Sequence, residues 1–265
     1  MITLICSALL VVFLAYILFA MAVYLFQERL IFPGRKLNPS HQFIDLSGLE
    51  EKWVKVDGAI LSTLHFSQPG ARGLIFFLHG NVGNLDRWVP DVDFYRREKY
   101  DLFMLDYRGY GKSSGRIQSQ VQLEADVRTA WESIAATYCD KKLPVVIYGR
   151  SIGTYLAAKL ALEVESQLLV LVSPYTSLLA MARLKFPWLP ARLLRYPLAT
   201  DDIIAQVKAP VLIVHGEDDP LIPVSHAHSL ANKSYRAKLV IIDGAVHNDI
   251  HEHEAYTAAV SSALP

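Results

Sequence analysis

Six short apolar runs limit the architecture of this chain more than any other feature: Leu74–Leu78, Leu102–Leu105, Val145–Tyr148, Leu168–Val172, Val211–Val214 and Leu239–Ile242. Their hydrophobic residues do not alternate with polar ones, which is the pattern of strands buried on both faces of a parallel sheet. About 20 to 40 residues separate one run from the next, enough for the helix that a parallel crossover requires. Val121–Tyr138 is the clearest such helix, with Leu123, Val127, Trp131 and Ile134 at spacings of three and four. Ahead of the runs, Trp53–Val56 and Ile60–Phe66 flank Asp57-Gly58, a two-residue hairpin signal. The expected fold class is therefore α/β: one domain with a mostly parallel central sheet flanked by helices and an antiparallel start. No internal repeat is visible.

Composition removes several function classes. The 265 residues carry 26 basic and 26 acidic side chains without a long Lys/Arg run, so the chain lacks the basic stripe that nucleic-acid binding needs. With 52% hydrophobic and 20% charged residues it is not a disordered chain. Cys6 and Cys139 are the two cysteines, too few for a disulfide framework or a zinc set. There is no phosphate loop and no dinucleotide-binding G-x-G-x-x-G, so no cofactor is expected.

Met1–Phe26 contains no charged residue. As a helix, twenty-odd residues at about 1.5 Å each cross a hydrocarbon core of about 30 Å. The expected organisation is a transmembrane anchor at 1–27, a linker at 28–51 and a catalytic domain at 52–265. A cleaved signal peptide is the competing reading, with Ala20-Met21-Ala22 as the cleavage-like site; the run continues past that site and no Lys or Arg precedes it. Arg29, Arg35 and Lys36 after the span favour a cytoplasmic catalytic domain.

At the end of the third run stands Gly149-Arg150-Ser151-Ile152-Gly153, which matches G-x-S-x-G. In a strand-to-helix turn this spacing lifts the serine into an exposed, strained position, and the flanking glycines remove side chains that would clash. An acid and then a histidine must follow. The loop after Val211–Val214 offers His215-Gly216-Glu217-Asp218-Asp219, and the loop after Leu239–Ile242 offers His247-Asn248-Asp249. No carboxylate follows Leu168–Val172 until Asp201, so the acid is Asp219 or its neighbour Asp218. His247 is the base.

Taken with His79-Gly80-Asn81-Val82-Gly83-Asn84 and Asp106-Tyr107-Arg108-Gly109-Tyr110-Gly111-Lys112-Ser113, these motifs make residues 52 to 265 resemble the α/β-hydrolase superfamily. They are most similar to the membrane-anchored hydrolase-domain branch, which includes protein depalmitoylases and esterase-like bacterial proteins. The resemblance implies an α/β-hydrolase fold with Ser151 as nucleophile, Asp219 as acid and His247 as base. It also implies an oxyanion hole from the backbone N–H groups of Asn81 and Ile152. Thr154 departs from the branch, which has a second glycine there.

His79 and His215 end buried strands and read as structural. His247 and His251 stand one helical turn apart, but no H-E-x-x-H is present and no metal is expected. Residues 177–200 fall where such hydrolases insert a lid; Phe186 and Trp188 are its candidate substrate contacts, beside Arg183, Lys185, Arg192 and Arg195. An ordinary helical excursion is the plain alternative. The functional expectation is a serine hydrolase that cleaves a carboxylic ester or thioester, acting on membrane-proximal or lipid-like substrates. An amidase or peptidase with the same triad, and an inert membrane-tethered interaction protein, are the alternatives.

Overall fold

Hydrogen bonding joins all six runs, with the hairpin before them, into one eight-stranded sheet. The computed structural model describes residues 1–89 and 92–265. In chain order the elements are α1 (Ile2–Ile31), β1 (Leu49–Val56), β2 (Ala59–Phe66), β3 (Gly73–Leu78), α2 (Val92–Arg97), β4 (Tyr100–Leu105), α3 (Gln120–Cys139) and β5 (Val145–Arg150). They continue with α4 (Gly153–Glu163), β6 (Leu168–Val172), α5 (Leu178–Lys185), α6 (Thr200–Ile203), β7 (Val211–Gly216), α7 (Ser225–Lys233), β8 (Ala237–Ile242) and α8 (Glu254–Ala263).

The strands lie in the order β1-β2-β4-β3-β5-β6-β7-β8. β1 pairs antiparallel with β2, and β2 antiparallel with β4. Every later pairing is parallel. Gly58, at φ +67°, supplies the left-handed residue that the β1–β2 turn requires.

Side chains of β3 show why the runs do not alternate. Leu74, Phe76 and Leu78 enter one core layer with Leu123, Val127, Trp131 and Ile134 of α3 and Leu156, Ala157 and Leu160 of α4. Ile75 and Phe77 enter the layer on the other face with Tyr95, Tyr148, Tyr256 and Val260. Both faces are covered, so both must be apolar. β8 is the exception: it is an edge strand, and most of its residues are only half-buried, with Lys238 exposed. Its apolar run therefore marks a strand without implying two covered faces.

α1 runs on to Ile31, and Glu28 and Arg29 lie in its last turn. The segment that follows is strapped across the domain. Arg35 N–H donates to the Gly83 carbonyl at 3.0 Å, Leu37 N–H to Gly111, and Gly111 N–H to Arg35. These bonds fasten the segment after α1 to the loops after β3 and β4, beside the carboxyl ends of the strands.

Candidate active site

β5 sits near the middle of the sheet between β3 and β6, so the turn that ends it is flanked by the loops after both neighbours. Ser151 occupies this turn at φ +51°, a left-handed conformation that costs a non-glycine residue about 1–3 kcal/mol. Three bonds hold it there. Ser151 N–H donates to the Val172 carbonyl at 2.9 Å, while Thr154 N–H and Thr154 Oγ1 donate to the Ser151 carbonyl at 3.0 and 2.6 Å. Thr154 Oγ1 thus adds a side-chain tie to the turn.

Steric contacts account for the glycine spacing. A Cβ on Gly153 would stand 2.2 Å from the Leu78 carbonyl oxygen, and one on Gly149 would stand 2.5 Å from that of Gly153. No side chain fits at either place. Ala157 and Ala158, both fully buried, let α4 lie close on the sheet.

Asp219 and His247 reach each other from the loops after β7 and β8. His247 Nδ1 lies 2.7 Å from Asp219 Oδ2, and both residues are buried. An ionised carboxylate only accepts, so Nδ1 carries the proton and Nε2 is left as an acceptor. The other carboxylate oxygen accepts from the N–H groups of Leu221 at 2.9 Å and Ile222 at 2.8 Å. Burial alone would raise the Asp219 carboxyl, but hydrogen bonds from His215, His247 and the Ile222 N–H outweigh it and hold the group well below the usual carboxylate range. Asp218 is exposed.

His215 is fully buried and donates from Nε2 to the Ile222 carbonyl at 2.8 Å, bracing the turn that carries Asp219. His79 is equally buried, with Nδ1 2.6 Å from the Gly80 carbonyl and its ring 4.3 Å from that of Tyr107. Asp106 accepts the Leu85 N–H at 3.0 Å, and Arg108 grips Asp126 through two bonds of 2.5 and 2.8 Å. All four are framework residues. Among the described residues no group of three or more His, Cys, Asp or Glu is placed to hold a metal ion.

Asn81 and Ile152 line the same cavity as Ser151. Among the described residues, neither backbone N–H is bonded to a protein acceptor. The cavity measures about 420 Å³ and is lined mostly by apolar side chains from residues 178–194 and from α1. Phe186 lines it. Trp188 does not: its ring packs on Tyr16 and Phe19 of α1, with centroids 5.9 and 5.3 Å away. The wall formed by α1 was not visible in the apolar run itself. Gln27, a buried polar side chain near the end of that helix, is the signal, because a buried amide must be bonded.

Arg150 was also not singled out by its sequence. The residue before Ser151 is buried, with its guanidinium 5.0 Å from the Trp88 ring centroid. Nη2 donates to the His247 carbonyl at 2.9 Å, and Nη1 lies 3.0 Å from His251 Nδ1. Arg150 therefore couples the turn bearing Ser151 directly to the loop bearing His247, and it engages the second imidazole of the His247/His251 pair. A charged residue closing a wholly apolar strand was the available clue.

Comparison with known proteins agrees with this architecture. A family model described as "Serine aminopeptidase, S33" matches residues 69–200, and one described as "TAP-like protein" matches residues 194–264. The chain is 34% identical over 190 residues to alpha/beta hydrolase domain-containing protein 17B of Xenopus laevis, and equally to its human counterpart. Each alignment covers 71% of this chain and 65% of the relative, just under two thirds of that protein's length. Among solved structures, an esterase from Pyrococcus furiosus superposes with a TM-score of 0.69 at 21% identity, covering 87% of this chain and 97% of that one. An esterase from Exiguobacterium antarcticum gives 0.64 at 19% identity, covering 80% and 98%.

Proposed function

The chain belongs to the α/β-hydrolase superfamily, in its hydrolase-domain branch, and from that premise we propose that it is a serine hydrolase that cleaves a carboxylic ester or thioester through an acyl-enzyme. The observation that carries this reading is the Asp219–His247 bond of 2.7 Å in the loops beside a strained Ser151 that opens on an apolar cavity. Ser151 Oγ attacks the carbonyl carbon as His247 Nε2 takes its proton. The tetrahedral oxyanion accepts hydrogen bonds from Asn81 N–H and Ile152 N–H. The carbonyl re-forms, and the imidazolium gives its proton to the departing alcohol or thiol. Water then attacks the acyl-enzyme, passing a proton to His247, and the acid leaves as the proton returns to Ser151.

Substrates of lipid-like character suit the apolar cavity, with Arg183 and Lys185 among its lining residues. The peptidase reading draws support from the description of the matching family model. A panel decides. Labelling by a fluorophosphonate, with hydrolysis of p-nitrophenyl esters and acyl-thioesters, is the expected result. Preference for aminoacyl p-nitroanilides moves the enzyme to the peptidases, and absence of labelling leaves an inert scaffold.

α1 serves as a single-pass anchor, with the catalytic domain on the cytoplasmic side. Its 30 residues form the one described helix long and apolar enough to cross a membrane, and they extend about 45 Å. The full chain is expected to stay in membranes through a carbonate wash and to leave with detergent. Release by carbonate overturns the anchor.

A further inference from the structure

The end of α1 is built into the catalytic cavity. Val23, Gln27, Leu30 and Ile31, one face of the helix at spacings of three and four, line the same 420 Å³ space as Ser151 and Asn81. Resting on the serine-hydrolase reading above, we infer that this face is the acyl-chain wall of the enzyme, and that Val23 sets the length of chain it accepts.

Several bonds make this wall a fixed part of the site. Asn81 Nδ2 reaches the Ile31 carbonyl at 3.5 Å, so the helix end abuts a cavity residue next to Ser151. Gln27 is buried and spans helix and lid: its Nε2 donates to the Leu193 carbonyl at 3.0 Å, and its Oε1 accepts the Arg195 N–H at 2.8 Å. Tyr196 donates to Glu28, which also pairs with Arg195. Lid and helix therefore enclose the cavity together.

Position along the helix gives the cavity its direction. Ile31 lies at the Asn81 end, and Val23 is eight residues back, about 12 Å along the axis toward the apolar span. The helix exceeds the roughly 20 residues that cross a bilayer, so its last turns stand at the membrane surface. An acyl chain lying beside α1 in the bilayer thus meets a mostly apolar wall, interrupted on the helix by Gln27, that leads to the cavity of Ser151. A short acyl group stays near Ile31. A long one extends to Val23.

The test uses the full chain in detergent micelles, with p-nitrophenyl butyrate and p-nitrophenyl palmitate as probes. Val23→Trp is expected to lower the palmitate-to-butyrate ratio of kcat/KM at least tenfold. Val11→Trp, on an exposed face of the helix away from the cavity, leaves the ratio within twofold. In the wild-type chain, a long-chain fluorophosphonate with a terminal diazirine is expected to label Ser151 and, after photolysis, to crosslink the turn around Val23. This second readout does not depend on the folding of a variant. Equal effects of both tryptophans, no effect of either, or crosslinks only within the lid overturn the wall while short-chain fluorophosphonate labelling of Ser151 persists. Failure of the wild type to take even the short-chain label removes the hydrolase reading itself, and the wall with it.

Discussion

Ser151→Ala is expected to abolish fluorophosphonate labelling and to lower kcat by roughly six orders of magnitude, the loss seen when a serine nucleophile is removed from a working triad. The protein should remain folded. Alanine keeps the Cβ, so the left-handed φ of +51° is no more strained than before, and the backbone bonds from Ser151 N–H to Val172 and from Thr154 N–H to Ser151 survive. Thermal unfolding within a few degrees of the wild type is the companion measurement. Turnover that survives within a hundredfold would mean that another group attacks the carbonyl. Loss of activity together with collapse of the thermal transition would make Ser151 a framework residue.

Much of the fold was legible because burial on both sheet faces leaves a strong mark on sequence. The runs that became β3 to β7 are buried from end to end, and the glycines of the turn stand where a Cβ would strike backbone 2.2 to 2.5 Å away. Such constraints are local and need no knowledge of the rest of the chain. Features that depend on long-range packing left weaker marks. Nothing in the apolar pattern of Met1–Phe26 says that the face ending at Ile31 closes a cavity around Ser151, since the same residues suit lipid contact alone. Trp188 read as a pocket aromatic because it follows Phe186 in a lid, yet two residues of separation send it to Tyr16 and Phe19 of α1. Arg150 is a variable position inside a familiar motif, and its function depends on carbonyls nearly a hundred residues away. A buried charge at the end of an apolar strand is a general prompt to look for such partners.

Asp219→Asn is expected to lower kcat by about four orders of magnitude, whereas Asp218→Asn changes it by a few-fold at most. The geometry gives the reason. Oδ1 of Asp219 is held by two backbone donors, the N–H groups of Leu221 and Ile222, while Oδ2 meets His247 Nδ1. An asparagine here keeps its oxygen on those donors and turns its amide toward the imidazole. Nδ1 must then accept, the ring proton moves to Nε2, and His247 can no longer take the proton of Ser151. Mild acid cannot produce the same state. A carboxyl whose folded pKa is depressed contributes its stability fully above its unfolded value of about 4 and loses it only as pH falls through the lowered folded value, so the Asp219–His247 bond persists from pH 7 down to 5. The pH profile of the wild type across that range should therefore show no titration of Asp219, and the asparagine variant should lose kcat at every pH within it. Asp218, exposed and bonded to the Ala245 carbonyl only through its backbone N–H, has no comparable hold on the imidazole. A larger loss from Asp218→Asn than from Asp219→Asn would transfer the role of the acid and require a different conformation of the loop after β7.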